Sequence, residues 1–265
     1  MILAQRDRAI ANFKPTKHFT ATLITEPGFE AQWNTRPFVT EEAPYVMERS
    51  LAEKADGASS ITVDSYEQKK VARKPPAPFT TSVMQQAASA KLSMSAKDSM
   101  AAAQKLFENG LITYHRTDST FLEPDSIKAI REVLKAKGLP IPETPPIHRS
   151  KAGAQEAHDA IRPTDPSNDN PTGSLGSNER RLYALIHKQT LASQMANKIE
   201  RVTTIKAYAD IDGQRFEYQA KATEVLEKGY TALLGQGKDD EPAVTLPKIE
   251  KGEAIAITEG KVVDK

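Results

Sequence analysis

The stretch Gly110-Leu-Ile-Thr-Tyr-His-Arg-Thr-Asp-Ser119 sets a phenol and a guanidinium two residues apart at the end of a helical pattern. A phenol oxygen can attack phosphorus, and a guanidinium beside it can hold the phosphate under attack. An unperturbed tyrosine titrates near pH ~10, so little phenolate exists at neutrality. Attack on a phosphodiester therefore calls for a nearby positive charge, a base or a metal. Arg116 is the nearest candidate, because its planar fork matches two phosphate oxygens better than a lysine would. Thr117, Asp118 and Ser119 follow on a predicted loop, as phosphate contacts or as turn-forming and capping residues. The same decapeptide also accommodates Tyr114 as an ordinary half-buried aromatic, and His115 as wall filling.

Two further clusters could cooperate with it. Gln155-Glu-Ala-His-Asp-Ala-Ile-Arg-Pro-Thr-Asp165 spaces His158 and Arg162 four apart, on one face if the segment is helical up to Pro163. Such a pair would cradle a phosphate, although a lone His158 serves equally as a hydrogen-bonded structural residue. In Pro75-Pro-Ala-Pro-Phe-Thr-Thr-Ser82, the hydroxyls of Thr80, Thr81 and Ser82 fall at a predicted helix start, where backbone N–H groups and the dipole favour an anion. Gln85 and Gln86 come one turn later, within reach of a base or sugar edge; the competing reading of the hydroxyls is a plain N-cap. Asp210 and Asp212 share one strand face beside a turn, a common solvent-facing arrangement, and are rejected as a metal pair. No Gly-rich phosphate loop and no metal-ligand constellation is evident.

The elements that must carry these groups form three regions. In 16–75, Phe19 to Thr25 and Phe29 to Trp33 flank the turn Glu26-Pro-Gly28; Glu41 to Ala55 reads as a helix stopped by Gly57, and Ser60 to Ala72 as β. In 79–197, Ser95 and Asp98 open a helix whose apolar face is Met100, Ala103, Leu106 and Phe107 and whose stop is Gly110. Pro124 opens another, with Ile127, Ile130 and Leu134, ending at Gly138; a Pro-rich loop covers 140–153, and a last helix runs from Asn178 to Ala196. In 198–265 the chain returns to β, with Thr203 to Ile211 and Phe216 to Ala220 joined by Asp212-Gly213. The expected fold is α+β and multidomain: a β-rich domain from both chain ends (1–75 and 198–265) with a mainly helical tyrosine-bearing domain (76–197) inserted.

Composition narrows the function classes. There are 36 basic and 35 acidic residues among 265, so charge alone will not grip duplex DNA and any nucleic-acid site must be local. The absence of cysteine excludes disulfides, thiolate metal sites and cysteine nucleophiles. No apolar run reaches the ~18 residues a membrane span needs, and Met1 to Arg8 lacks a signal-peptide core, so a cytoplasmic protein without membrane partners is expected. Both ends read as interrupted: the chain opens within a charged helical pattern and closes on Ile255 to Gly260 without a capping element.

Taken in order, Pro76 to Ser82 with the Gln pair, Gly110 to Ser119, and Glu156 to Asp165 resemble three motifs of the type IA DNA topoisomerase family. Arg6 to Phe13, Leu182 to Met195 and Leu246 to Glu253 resemble the flanks of its arch domain. The resemblance implies that Tyr114 forms a transient bond to the 5′ phosphate of a cut single strand. Arg116 would steady that phosphate, His158 and Arg162 would orient it, and Thr81 and Gln85 would be weaker strand contacts. The β-rich arch would open as a gate. Departures are equally informative: the family's Toprim domain, with its magnesium site, general-acid glutamate and lysine, and most of its strand-binding domain have no counterpart here. The resemblance thus implies DNA, mainly single-stranded, as partner, those domains in cis or trans, Mg2+ outside this chain, and little relaxation by the chain alone. His115 occupies a position that varies between branches, methionine in many bacterial topoisomerase I sequences and proline in topoisomerase III. The rival readings are a non-catalytic single-stranded DNA-binding module with Tyr114 stacking on bases, and a helix-turn-helix regulator, disfavoured by the lack of a basic recognition helix.

Overall fold

A computed structural model describes residues 2–13, 15–148, 159–235 and 245–264. The chain divides into two compact units, 1–69 with 201–224 and 243–265, and 70–200 with 225–242. Residues 225–242 thus group with the second unit, whereas the sequence reading placed all of 198–265 with the β-rich one.

The first unit is built on a closed antiparallel barrel in the order β1-β2-β5-β4-β3-β6. Its strands are β1 (Phe19–Thr25), β2 (Glu30–Trp33), β3 (Ser60–Arg73), β4 (Lys198–Ile211), β5 (Gln214–Glu227) and β6 (Ala254–Asp264). β1 and β2 form the expected hairpin, with Leu23 opposite Ala31. The Asp212-Gly213 turn has positive φ at both residues, 50° and 76°, the conformation in which a two-residue turn follows the strand twist. The closing element is β6, which pairs with β1 along Phe19 to Thr25 and with β3 at Ile61–Ile255. Closure gives an interior narrow enough for side chains to fill, although β2 meets β5 only at Gln32–Gln219 and Trp33–Tyr218. That interior is packed with alanines (Ala21, Ala31, Ala207, Ala220) set against the large rings of Trp33, Phe216 and Tyr218.

The helix expected at Glu41 to Ala55 is shorter, and α1 (Ile2–Ala11) precedes the barrel. α2 runs Arg49–Asp56. Pro44 disfavours helical backbone at the residue before it. In addition, the Val46 carbonyl accepts from the Phe19 amide at 2.8 Å, which commits this stretch to the start of β1.

The second unit contains α3 (Thr81–Leu92), α4 (Ala96–Glu108), α5 (Pro124–Ala136), α6 (Ser177–Ser193) and the short α7 (Thr231–Leu234). α4 begins as the sequence indicates: Ser95 Oγ accepts from the Asp98 amide at 3.0 Å and donates to its carboxylate at 2.6 Å. It stops at Gly110 (φ 67°), where Leu111 N reaches Leu106 O (2.9 Å) and Gly110 N reaches Phe107 O (2.8 Å). This paired closure needs left-handed backbone that glycine adopts without strain. Ala102, Ala103 and Leu106 of α4 pack against Leu182, Tyr183 and Ile186 of α6. Phe107, expected in that stripe, is instead 37% exposed.

Candidate active site

The tyrosine segment is held between two others by backbone and threonine hydrogen bonds. Isolated antiparallel bridges join Phe79 to Ile161 and Ile112 to Pro163. Thr113 N donates to Arg162 O at 2.9 Å, Thr164 N to Leu111 O at 3.1 Å, and Thr81 N to Thr117 O at 2.9 Å. Two hydroxyls complete the stitching on either side of Tyr114. Thr113 Oγ1 donates to Ala160 O (2.6 Å) and accepts from Arg162 N (3.0 Å). Thr81 Oγ1 donates to His115 O (2.7 Å) and accepts from Thr117 N (3.0 Å). Each such bond contributes a net ~1 kcal/mol, and losing one leaves a polar group unpaired at a larger cost. The three motifs singled out by sequence thus meet at 79–81, 111–117 and 160–164.

The pinned segment presents alternate side chains in opposite directions. Tyr114, Arg116 and Asp118 are exposed, with Tyr114 at 48%, while His115, Thr117 and Ser119 are buried. Among the described residues neither Arg116 nor Asp118 makes an ion pair. Thr117 Oγ1 accepts from Ser119 N (3.1 Å), and Ser119 Oγ from Phe121 N (3.0 Å); both hydroxyls therefore shape the turn. The ring of His115 lies against Tyr114 and Phe107, and burial, reinforced by the charge of Arg116 and opposed by Glu108, holds its pKa below the ordinary histidine value. A neutral imidazole therefore underlies the phenol.

The remaining candidates are placed as follows. Thr80 is the N-cap of α3, its hydroxyl accepting from Val83 N at 3.4 Å, which leaves Thr81 free to hold the loop. Gln85 sits one turn into α3, half-buried. Asp159 to Pro163 is extended rather than helical, so no helix sets Arg162 four residues from His158; the residue before Pro163 is pushed toward extended backbone, and the bridges at Ile161 and Pro163 use it. His158 itself lies outside the described residues. Arg162 is 14% exposed, with Nη2 at 2.6 Å and Nε at 2.8 Å from Asp159 Oδ2, and Nη1 donates to Pro163 O. Its charge is already largely matched, whereas that of Arg116 is open.

Sequence reasoning gave no site role to Thr113 or Asp159, and placed Phe107 in the apolar face of its helix and not beside Tyr114. Thr113 adjoins the tyrosine, but the residues from Ile112 to Ser119 show no apolar–polar alternation that would have singled it out. The partners of Thr113 lie 47 and 49 residues away and carry no local signal, whereas Asp159 pairs with Arg162 only three residues on and was open to a local reading.

The family model for DNA topoisomerases matches residues 1–265, and the chain belongs to that family, in the type IA branch that its motifs resemble. It is similar to a plasmid DNA topoisomerase I of Xylella fastidiosa, at 34% identity over 100% of this chain and 42% of that protein. It is also similar to DNA topoisomerase 1 of Pseudomonas aeruginosa, at 36% identity over 97% of this chain and 30% of that one. The fold matches full-length topoisomerase I of Thermotoga maritima with a TM-score of 0.76 and 24% identity, over 100% of this chain and 43% of that chain. The chain therefore spans less than half the length of these relatives.

Proposed function

We propose that this chain carries the nucleophile of a type IA DNA topoisomerase, in which Tyr114 opens and rejoins one DNA strand. The observation that carries the reading is a half-exposed tyrosine on a backbone pinned from both sides, beside an arginine without an ion-pair partner among the described residues. In the forward step the phenol gives up its proton, its oxygen bonds to phosphorus, and the bond from phosphorus to the 3′ oxygen breaks. That 3′ oxygen takes a proton, and the 5′ phosphate remains esterified to Tyr114. In resealing, the 3′ hydroxyl attacks phosphorus and the phenol leaves. The ester conserves the bond energy, so no nucleotide cofactor is consumed.

Arg116 would hold the phosphate oxygens through the exchange. Arg162, tied to Asp159, would orient the strand from beneath, with His158 as its partner in that task. Thr81 would contribute indirectly, by fixing the backbone at His115 and Thr117, and Gln85, Thr117, Asp118 and Ser119 would line the path of the strand. The proton for the 3′ oxygen and the Mg2+ of the complete enzyme are assigned to a Toprim domain outside this chain, in cis or in trans. Among the described residues no group of three or more His, Cys, Asp or Glu could hold a metal ion, and no step is derived through one. The β-rich unit would serve as the gate for strand passage, in the cytoplasm; no helix among the described residues is long and apolar enough to cross a membrane.

The test is to incubate the chain with labelled single-stranded DNA and Mg2+, with and without a Toprim-containing partner, and to trap adducts by denaturation. Adduct formation that depends on the partner and disappears in Tyr114→Phe is expected, with no plasmid relaxation by the chain alone. Robust relaxation by the isolated chain contradicts the assignment of the acid elsewhere. Binding without any adduct favours a single-stranded DNA-binding module in which Tyr114 stacks on bases.

A further inference from the structure

Three rings meet at the end of α4. Phe107, in its last turn, stands edge-on to Tyr114, with centroids 5.3 Å apart and planes at 67°. His115 meets Tyr114 at 5.5 Å and 64°, and Phe107 meets His115 at 6.0 Å and 50°. His115 is fully buried, and neither of its ring nitrogens has a hydrogen-bond partner among the described residues. Tyr114 and Phe107 nevertheless remain 48% and 37% exposed. Edge-to-face contacts of this kind are directional, and they restrain ring orientation as well as covering apolar area.

Both supporting rings are anchored by parts of the fold outside the tyrosine segment's own turn. Phe107 is fixed by α4, whose stop at Gly110 is closed by the bonds to Leu106 and Phe107. His115 is fixed by Thr81 at the start of α3, through the bond to its carbonyl. Burying an imidazole without partners costs free energy, so an apolar residue of similar size would fill the space more favourably if filling were the whole task. The polar ring retained there contributes its flat shape and its edge contact with Tyr114. A nucleophile held by two neighbouring rings, with half its side chain open, avoids much of the orientational loss on meeting a phosphate.

Resting on the reading of Tyr114 as the nucleophile, we propose that Phe107 and His115 are positioning residues that restrain the Tyr114 ring for attack on the incoming strand. Phe107→Leu keeps apolar volume and removes the ring, whereas Phe107→Tyr keeps the edge contact. In the intact protein, Phe107→Leu is expected to slow single-turnover adduct formation on a single-stranded oligonucleotide by roughly tenfold to a hundredfold while changing its Kd by no more than about twofold. Phe107→Tyr is expected to restore the rate to within about threefold of the parent. A parental rate in Phe107→Leu, or a parallel loss of binding and rate, overturns the proposal. Tyr114→Phe is run alongside: an adduct persisting there sinks the nucleophile reading itself, whatever Phe107 does. Should Phe107→Leu fail to fold, nuclear Overhauser contacts between the Phe107 and Tyr114 rings in the parent decide the matter. Their presence is expected, and their absence overturns the clamp.

Discussion

The barrel unit and the helical unit use the same side-chain chemistry to opposite ends, and their tyrosines show it most plainly. Tyr218 in the barrel is 1% exposed, its hydroxyl donates to Ala55 O at 2.5 Å, and burial pushes its pKa up. Tyr183 in the helical unit is equally buried, donates to Asn168 O at 2.6 Å, and is pushed up to about 12. Tyr114 is half-exposed; its backbone neighbours are tied down and its ring meets Phe107 and His115. Two exposed arginines differ likewise. Arg215 on the barrel is bound to Asp210 and lies 3.9 Å over the Tyr208 ring, while Arg116 has no such partner among the described residues. The hydroxyls of the two buried tyrosines are spent on the fold, whereas at Tyr114 and Arg116 the fold holds the backbone and leaves the polar ends of the side chains exposed.

Perturbations of stability should follow that division. Phe216→Ala, which removes a fully buried ring stacked on Phe38, should cost the barrel about 3–5 kcal/mol in urea denaturation. Thr81→Val should cost about 1–3 kcal/mol in the helical unit, because the His115 carbonyl and the Thr117 amide both lose their hydroxyl partner. It should also slow adduct formation more than it weakens DNA binding. Tyr218→Phe, which orphans Ala55 O, should cost about 1–2 kcal/mol, whereas Tyr114→Phe should stay within about 0.5 kcal/mol of the parent. Equal costs for the two tyrosine variants would erase the contrast on which the site assignment rests.

The smallest expected effect is one of pH. Burial holds the pKa values of His115 and His187 below the ordinary histidine value, so the folded helical unit keeps both rings neutral where the unfolded chain begins to protonate. As the pH falls below about 6.5, the unfolded state binds protons that the native state refuses, and stability declines until the folded pKa values are reached. His115→Phe should flatten part of that decline between urea midpoints taken at neutral and mildly acidic pH. An unchanged slope would mean that the ring is less secluded than described.

What was legible in the sequence was whatever a local signal carried. The Ser95 cap, the Gly110 stop and the Asp212-Gly213 turn each depend on residues within five positions of one another. The three motifs around Tyr114 were legible by resemblance. Barrel closure was not, because β6 finds β1 across more than two hundred residues and nothing in Ala254 to Asp264 names its partner. The helix expected from Glu41 began later for the same reason, through the pairing of Val46 with Phe19. At the site, the threonine bonds span 34 to 49 residues, so Thr81 could be read as a cap or a strand contact but not as the clasp of the tyrosine loop. Arg162 was read with His158, four residues away, and not with Asp159, three residues away, which ties up its guanidinium.

The most direct measurement is to trap the protein on a cleavable single-stranded oligonucleotide in the presence of its Toprim-containing part, digest it, and identify the nucleotide-bearing peptide by mass spectrometry. A phosphodiester-linked nucleotide on Tyr114, absent from Tyr114→Phe, is the expected result. A nucleotide on any other residue, or an undiminished adduct in the variant, would contradict the account.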